Sequence, residues 1–327
     1  MSDLHTHVCA CKNPPCTRPP SLQRIVRRFL LGAVFPILVP AAVFAQPGQS
    51  GLSFLKLGVG GRAIGMGEAH AALSADASAL HYNPAALSLL EKANLTLMHK
   101  EWVQDIRTEF LAASVPFNQI TLGFHLNSTR ISDIEVRTRP GPPEAIFNAQ
   151  NFVTGISAAY ELDRHFIVGI TAKFLYEKIF VDEASGFGFD LGAVYTPAER
   201  DGSLRFGAAL TNLGSMGKLR TESSELPTAF RVGSAYTIPL EALESKISLA
   251  ADGFSVFEEG DVRINTGGEL DYKQTVALRI GYLWNSEGRG LTLGFGAQYT
   301  FVRFDYAFSS LAFDLGDAHI LSLSIDL

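Results

Sequence analysis

The chain is poor in cysteine: it has three, and all of them (Cys9, Cys11 and Cys16) lie near its start. The rest of the sequence therefore cannot form a disulfide framework, and its order must come from another source. With His5 and His7 the cysteines form a His-x-His-x-Cys-x-Cys pattern that resembles a metal cluster. We assign no site there, because the pattern lies in a leader expected to be removed or never made.

Charge and long apolar runs are also scarce. Charged residues make up 18% of the chain, against roughly 25% in ordinary soluble domains, while apolar residues reach 47%. Beyond residue 44 no stretch of about 18 apolar residues remains, which excludes a transmembrane helix there. The apolar excess must therefore be distributed by periodicity. The net charge of −6 argues against a nucleic-acid partner.

Catalytic and metal-binding motifs are missing. The sequence contains no Gly-x-Ser-x-Gly and no His-x-x-Glu-His, so it predicts no enzyme, no metal and no cofactor. The remaining histidines show no ligand spacing and are expected in the lumen or in loops: His70, His81, His99, His125, His165 and His319. A barrel-type lipase or protease stays open as an alternative, because its Ser, His and Asp would meet only across neighbouring strands.

The N-terminus has the pattern of a secretory signal peptide. Arg24, Arg27 and Arg28 precede an uncharged apolar run over residues 29–44, and Val43-Phe44-Ala45 places small residues at the cleavage positions. The run is short and contains two prolines, which disfavours the alternative of a membrane anchor. We expect residues 1–45 to be leader and signal peptide, removed on export. A misplaced start codon is a further explanation of the residues before the arginines.

In the rest of the chain, apolar and more polar side chains alternate with a period of two residues. In residues 166–177 and again in 291–299, apolar side chains occupy every second position, with Gly, Thr, Lys and Glu between them. Such alternation predicts strands with two different faces. A soluble sandwich is the alternative. Three features favour a transmembrane barrel. The segments are about nine to twelve residues long, they have aromatic residues near their ends, and their other face mixes small and charged residues.

Fourteen such segments can be counted, and an even number places both chain ends at the periplasm. We expect strands near 94–102, 106–116, 119–129, 151–161, 165–178, 185–196, 203–213, 228–238, 246–255, 261–271, 274–284, 290–299, 303–309 and 319–327. The predicted fold is all-β, a 14-stranded antiparallel transmembrane barrel over residues 93–327. The link 138–150 is expected to be an outer loop, and the last strand to pair with the first.

Residues 52–90 differ from this pattern, being rich in Gly and Ala. Gly58-Val59-Gly60-Gly61-Arg62-Ala63 imitates a dinucleotide fingerprint, but no parallel strand–helix–strand unit follows it. We predict instead a hatch inside the barrel, over residues 46–92, with a short helix within 69–80 and a turn at Asn83-Pro84.

Buried charges in such a lumen require partners. Arg62, Glu68 and Asp76 come from the hatch, and we expect Arg62 to pair with a wall carboxylate. Inward-facing charges on the strands are interpreted as salt-bridged filling: Arg205, Arg231, Arg279 and Arg303 with Asp190, Glu269, Asp305 and Asp326.

The same residues carry a family resemblance. The run FLKLGVGGRAIGMG at 54–67, DASAL at 76–80, the Asn83-Pro84-Ala85 turn and LGDAH at 315–319 resemble the PorV/PorQ family, which belongs with the FadL-like long-chain fatty-acid transporter barrels. The resemblance implies an outer-membrane barrel with an N-terminal lumen hatch. Hatch and gating roles are expected for Arg62, Gly65, Gly67, Asp76, Asn83, Pro84 and Ala85.

Two functions follow from the resemblance. In the first, the hatch gates passage of small hydrophobic molecules across the outer membrane. In the second, the barrel transports nothing and docks cargo or attachment machinery of the type IX secretion system. The expected partners are outer-membrane lipid, a small hydrophobic ligand or secretion-system proteins, and the barrel assembly machinery, with no nucleic acid. The sequence motifs do not separate the two functions.

Overall fold

The computed structural model describes most of the chain downstream of the expected signal peptide, namely residues 52–103, 106–197, 203–220, 222–286 and 288–327. The expected leader and signal peptide, residues 1–45, lie outside the described residues, as do the three cysteines.

The N-terminal segment (residues 52–92) consists of short helical turns joined by irregular chain. It contains the 3-10 helix Ser53–Lys56, the helices α1 (Gly61–Gly65) and α2 (Ala79–Tyr82), and the 3-10 helix Pro84–Leu89. No helix in the part of the chain that the structure describes is long and apolar enough to span a membrane.

The prediction of a helix within residues 69–80 is wrong over most of this range, because helical structure begins only at Ala79. The backbone N–H groups of His70 and Ala71 donate to the Asp252 carboxylate of the barrel wall, each at 2.8 Å. Further on, the Asp76 side chain accepts from the Ser78 N–H at 3.0 Å. These side chains take the donors that a helix would use, so the backbone stays in turns.

Fourteen strands form a closed antiparallel barrel. They are β1 (Asn94–Glu101), β2 (Arg107–Phe117), β3 (Ile120–Val136), β4 (Ala145–Glu161), β5 (Phe166–Ile179), β6 (Asp182–Tyr195), β7 (Ser203–Met216), β8 (Ala229–Leu240), β9 (Ser245–Val256), β10 (Val262–Tyr272), β11 (Val276–Trp284), β12 (Arg289–Tyr299), β13 (Val302–Leu311) and β14 (Asp317–Asp326). Two short strands, Lys218–Leu219 and Glu222–Ser223, pair with each other between β7 and β8.

Each strand pairs with the next, and β14 closes the barrel by pairing with β1, with Asn94 opposite Asp326. The Leu327 N–H adds a hydrogen bond to the Ala93 carbonyl at 2.8 Å. Closure removes both sheet edges, which a bilayer would leave unsatisfied. We call the end of the barrel where Asn94 and Asp326 lie the terminal rim, and the opposite end the loop rim.

The strand positions follow the alternation closely, with one correction. The link expected over 138–150 is shorter, because β3 runs on to Val136 and β4 already begins at Ala145. Pairing continues past an irregularity between Ile131 and Ile134. Backbone hydrogen bonds extend this hairpin without needing alternating side chains, so hydrophobic periodicity could not reveal it.

The predicted faces of the strands are confirmed. On β5, Ile170 is 48% exposed to the outside, whereas its neighbour Thr171 is fully buried on the inner face. On β12, Phe295 is 42% exposed outward and Thr292 is buried inward. The inner face carries the packed core, in which Val59, Leu80 and other residues of the N-terminal segment contact wall residues such as Ile320.

An arginine in place of Ile170 should destabilise the folded barrel by about 2–4 kcal/mol, because a charge on the lipid face has to enter the apolar band. Ile170→Leu is the matched control and should fold like the parent. Heat-modifiable gel mobility and urea titration in lipid vesicles measure both. Equal stability of the arginine and leucine variants would contradict the assignment of the faces.

Candidate functional site

The candidate site is the contact between the N-terminal segment and the inner wall of the barrel. Small residues make this contact close. A Cβ atom on Gly207 would lie 2.0 Å from the Ala71 carbonyl oxygen, and one on Gly281 would lie 2.1 Å from the Gly67 nitrogen. Any side chain at these wall positions would push the segment away. The glycines of both partners therefore let the two backbones touch.

Arg62, on α1, binds the wall through Glu269 of β10. Its Nε and Nη2 donate to the two carboxylate oxygens of Glu269 at 2.7 and 2.6 Å. Glu269 also accepts from Arg279 Nε at 2.6 Å, and Arg279 Nη1 donates to Asp305 Oδ1 at 2.7 Å. All four side chains are buried. The predicted pairing of Arg62 with a wall carboxylate is thus present as a bidentate ion pair.

The same series of charges returns to the N-terminal segment through Arg303. Its Nε donates to Asp305 Oδ2 at 2.9 Å and its Nη2 donates to Asp76 Oδ2 at 2.7 Å. We call the six residues the ionic chain: Arg62, Glu269, Arg279, Asp305, Arg303 and Asp76. It starts and ends on the segment and passes through β10, β11 and β13. Each guanidinium within the chain lies beside a carboxylate, which offsets the cost of burying the charges.

The electrostatics of Asp76 agree with this geometry. Burial acts to raise the pKa of the Asp76 carboxyl, but the Arg303 charge and the Ser78 hydrogen bond outweigh burial and hold this pKa below its ordinary value. Asp76 is therefore a carboxylate at neutral pH.

A second cluster anchors the segment around Glu68. Its carboxylate pairs with Arg289 of β12 and accepts the Gly58 N–H at 3.2 Å. The Arg231 guanidinium of β8 donates to the Glu68 carbonyl at 2.9 Å and lies 3.4 Å from Asp252. Burial acts to raise the pKa of Glu68, but the charges of Arg289 and Arg231 lower it below the ordinary value.

The Asn83-Pro84-Ala85 turn contacts a different part of the wall. The Asn83 side chain accepts from the Ala85 N–H at 3.1 Å and so caps the 3-10 helix, in which Pro84 takes the first position. Its amide nitrogen donates to the carbonyls of Ala71 at 2.7 Å and of Ala193, on β6, at 3.0 Å. Asn83 thereby joins two parts of the segment to β6.

The expected site residues therefore fall into two groups. Arg62, Gly65, Gly67 and Asp76 face β10–β13. Gly65 lies against Gly294, and the Gly67 N–H donates to Thr292 Oγ1 at 3.1 Å. Asn83, Pro84 and Ala85 face β5 and β6. The structure does not bring the seven residues to one point but places them around the contact.

The expectation of salt bridges is wrong for two of the eight inward charges, Arg205 and Asp326. Arg205 takes part in no ion pair within the described ranges, and its Nε has no hydrogen-bond partner there. Asp326 accepts from the uncharged Asn94 side chain at 2.7 Å, because the two residues face each other across β14 and β1. A charged side chain that points into the barrel does not thereby gain an ion-pair partner. An opposite charge must also lie at the same depth along the barrel axis.

Sequence reasoning missed Lys100, Asp252 and Arg289. The buried Lys100 donates to the Gly58 carbonyl at 3.1 Å and lies 5.0 Å from the Trp102 ring. Lys100 and Asp252 occupy inward positions of their strands, so a systematic search for charges on the inner face would have found them. Arg289 alternates with the outward residues of β12, and an irregularity of the strand pairing between Arg289 and Thr292 changes its direction, so period two could not have revealed it.

The cavities inside the barrel are small, and polar residues line them. A cavity of about 490 Å³ lies between the segment and the wall at the terminal rim, and charged residues of both line it, among them Arg62, Lys92, Lys246, Asp271 and Arg303. Toward the loop rim, a cavity of about 20 Å³ near His81 and Asn212 is large enough for a single water molecule. Within the described ranges, no group of three or more His, Cys, Asp or Glu residues could hold a metal ion.

A closed 14-stranded antiparallel barrel filled by its own N-terminal segment defines the class of the protein: a β-barrel with the FadL-like fold. The toluene transporter TodX of Pseudomonas putida shares this fold at 12% identity and a TM-score of 0.57, over 82% of this chain and 96% of that chain. The monoaromatic hydrocarbon channel CymD does so at 14% identity and a TM-score of 0.52, over 82% and 96%.

The family follows from the sequence. The family described as "Type IX secretion system protein PorV" matches residues 48–255, more than half of the chain. This protein therefore belongs to the PorV family, and the resemblance drawn from the small-residue run is confirmed. Comparison with curated protein sequences gives no match.

Arg62→Ala should loosen the N-terminal segment while the barrel stays folded. Removing one partner of a buried pair costs roughly 3 kcal/mol, so amide hydrogen exchange over residues 61–67 should accelerate about a hundredfold. Lys246→Ala is the control, because Lys246 is exposed in its pair with Asp271, and a pair of this kind is worth about 1 kcal/mol. Unchanged protection in the Arg62 variant would show that the ionic chain does not hold the segment.

Acid should also loosen the segment, beginning below about pH 6.5. Burial, followed by the Arg62 charge, lowers the pKa of His70 from 6.5 to about 3, and burial lowers that of His81 likewise to about 3. Both are neutral in the closed state and take up protons on release. Closed-state stability is therefore complete above pH 6.5 and falls as the pH drops toward 3, by up to about 1.4 kcal/mol per pH unit for each histidine.

Hydrogen exchange over residues 61–71 at pH 7 to 5, corrected for the intrinsic rate, measures this slope. The double variant His70→Gln, His81→Gln should flatten it, whereas His165→Gln on an exposed turn should leave it unchanged. The Asp76 and Glu68 carboxylates, with their lowered pKa values, contribute only below about pH 4.5. A slope that survives the double variant would contradict this assignment.

Proposed function

We propose that this protein serves type IX secretion as an outer-membrane docking barrel whose lumen is kept closed by its hatch. In this proposal residues 1–45 are removed on export, 46–92 form the hatch and 93–327 form the barrel that the assembly machinery inserts. The observation that carries the proposal is the ionic chain, which starts at Arg62 and ends at Asp76 with both ends on the hatch.

The buried charges favour a closed lumen. Moving the hatch aside would separate the Arg62–Glu269 and Arg303–Asp76 pairs together and leave charges without partners inside the barrel. Such separation is costly unless water or another charged group replaces each partner. A passing hydrophobic molecule offers neither. The hatch and the wall therefore act as one packed core, and gating would require a strong external trigger.

The polar character of the lumen supports the same conclusion. The cavity at the terminal rim is bordered by lysines, arginines and carboxylates, whereas sites for small apolar molecules are lined mostly by hydrophobic and aromatic side chains. With a lumen of this kind, the working surfaces of the protein are its loops and its outer wall. Docking of secretion-system proteins uses those surfaces.

Hatch-gated passage of a small hydrophobic molecule is the second candidate. The observation in its favour is the fold shared with TodX, described as a toluene transporter, and CymD, described as a monoaromatic hydrocarbon channel. In that function Arg62, Gly65, Gly67, Asp76 and the Asn83–Ala85 turn would form the part of the hatch that moves.

Two measurements on the whole protein separate the candidates. For docking, deleting the gene should abolish release of type IX cargo, measured by mass spectrometry of the culture medium, and the purified barrel should not speed toluene entry into liposomes. For transport, toluene entry should rise with the wild-type barrel while cargo release continues. Intact cargo release in the deletion strain would refute the docking function.

The hatch itself is tested by deleting residues 52–90. We expect the barrel to fold, small solutes to leak through liposomes, and recovery of secretion partners to fall. Lys246→Ala serves as the folding-matched control in each assay. A deletion variant with unchanged leakage and unchanged partners would show that the segment acts only in targeting or folding.

A further inference from the structure

Glu177 of β5 is a buried carboxylate without a partner. It lies on the inner face near the loop rim, one inward position beyond Leu175, and is 7% exposed. Among the residues that the structure describes, none donates a hydrogen bond to Glu177 or lies within ion-pair distance of it. An unpaired carboxylate is costly to bury. Glu177 therefore lacks a group that neither the wall nor the N-terminal segment supplies.

The cations on the neighbouring inner face have carboxylates of their own. Lys173, two inward positions below Glu177 on β5, pairs with Asp190 at 2.6 Å. Arg220, in the short hairpin between β7 and β8, pairs with Asp182 of β6 at 3.0 Å. Neither cation balances the charge of Glu177.

Two amide oxygens beside Glu177 also lack donors. Asn151 of β4 lies directly opposite Glu177, and Asn127 of β3 is the diagonal neighbour of Asn151 on the same inner face. The Oδ1 atoms of both are buried and accept no hydrogen bond from the described residues, and Asn127 is only 3% exposed. Opposite side chains have Cβ atoms about 5 Å apart and diagonal residues lie about 7 Å apart, so these three side chains surround one small space.

The side chains on either side of this group do not fill the need. Thr129 lies opposite Asn151, and its hydroxyl is bonded to that of Thr108 at 2.9 Å. On the other side, Ala184 of β6 lies opposite Glu177 and has no polar side-chain atom. The unsatisfied groups between Thr129 and Ala184 are therefore acceptors, and they select a ligand that donates.

We propose that Glu177, Asn151 and Asn127 bind a primary ammonium group that enters from the loop rim. The three acceptor groups match the three N–H donors of an ammonium, whereas a guanidinium has five. Ca²⁺ takes six to eight oxygen ligands, more than these side chains offer. The same ammonium chemistry is found in the lysine side chain of a bound protein and in a small amine. This site goes beyond the proposed docking function and does not depend on it.

Calorimetric titration of the purified protein with n-butylammonium chloride tests the site. We expect saturable binding that weakens about tenfold in Glu177→Gln, because the amide removes the charge from the hydrogen bond. Tetramethylammonium carries the same charge without N–H donors and should bind the parent far more weakly. Glu183→Gln, on the outward face of β6, is the matched control and should bind like the parent. Equal binding to the parent and to Glu177→Gln, or no binding to either, would overturn the proposal.

A lysine of this chain is the alternative occupant. Lys218 in the short hairpin is exposed and belongs to no ion pair within the described ranges. If Lys218 entered the site, butylammonium would bind only after its removal. We expect Lys218→Met to bind butylammonium like the parent. Binding that appears only in Lys218→Met would overturn the assignment to an external ammonium, with heat-modifiable mobility verifying that each variant folds.

Carbodiimide crosslinking in intact outer membranes identifies the source of the ammonium. The reagent activates the Glu177 carboxyl and takes up the water that is lost when a neighbouring amine forms an amide with it. An amide between Glu177 and a lysine of another protein, absent in Glu177→Gln, would assign the source to a bound protein. Butylammonium binding without such an amide would assign it to a small amine.

Discussion

The rest of the structure depends on the burial of one cation, the guanidinium of Arg62, inside the barrel. A buried charge needs a partner, and Glu269 supplies it in bidentate geometry. Glu269 also binds Arg279, which brings in Asp305 and then Arg303, whose second partner is Asp76. Each charge on the wall is thus stabilised by the next, and the series closes on the segment where it began.

Such a series makes the lumen resemble a protein core more than a pore. Glycines on the wall and small residues on the segment let the two backbones touch, for example where Gly207 meets Ala71. Close contact buries the ion pairs on the side of the wall and so strengthens them, while Arg62, Glu269, Arg279 and Arg303 also border the cavity at the terminal rim. Tight packing and charge pairing therefore support each other.

The sequence by itself determined the strands, their faces and the unusual N-terminal segment, because period-two alternation and the run of small residues are local properties. It also predicted that Arg62 would meet a carboxylate, since buried charges require partners. Only the tertiary structure decided that the carboxylate is Glu269, that Arg205 finds no ion-pair partner among the described residues and that residues 69–78 form turns instead of a helix. These outcomes depend on depth along the barrel and on contacts such as Asp252 with His70, which join residues far apart in the chain.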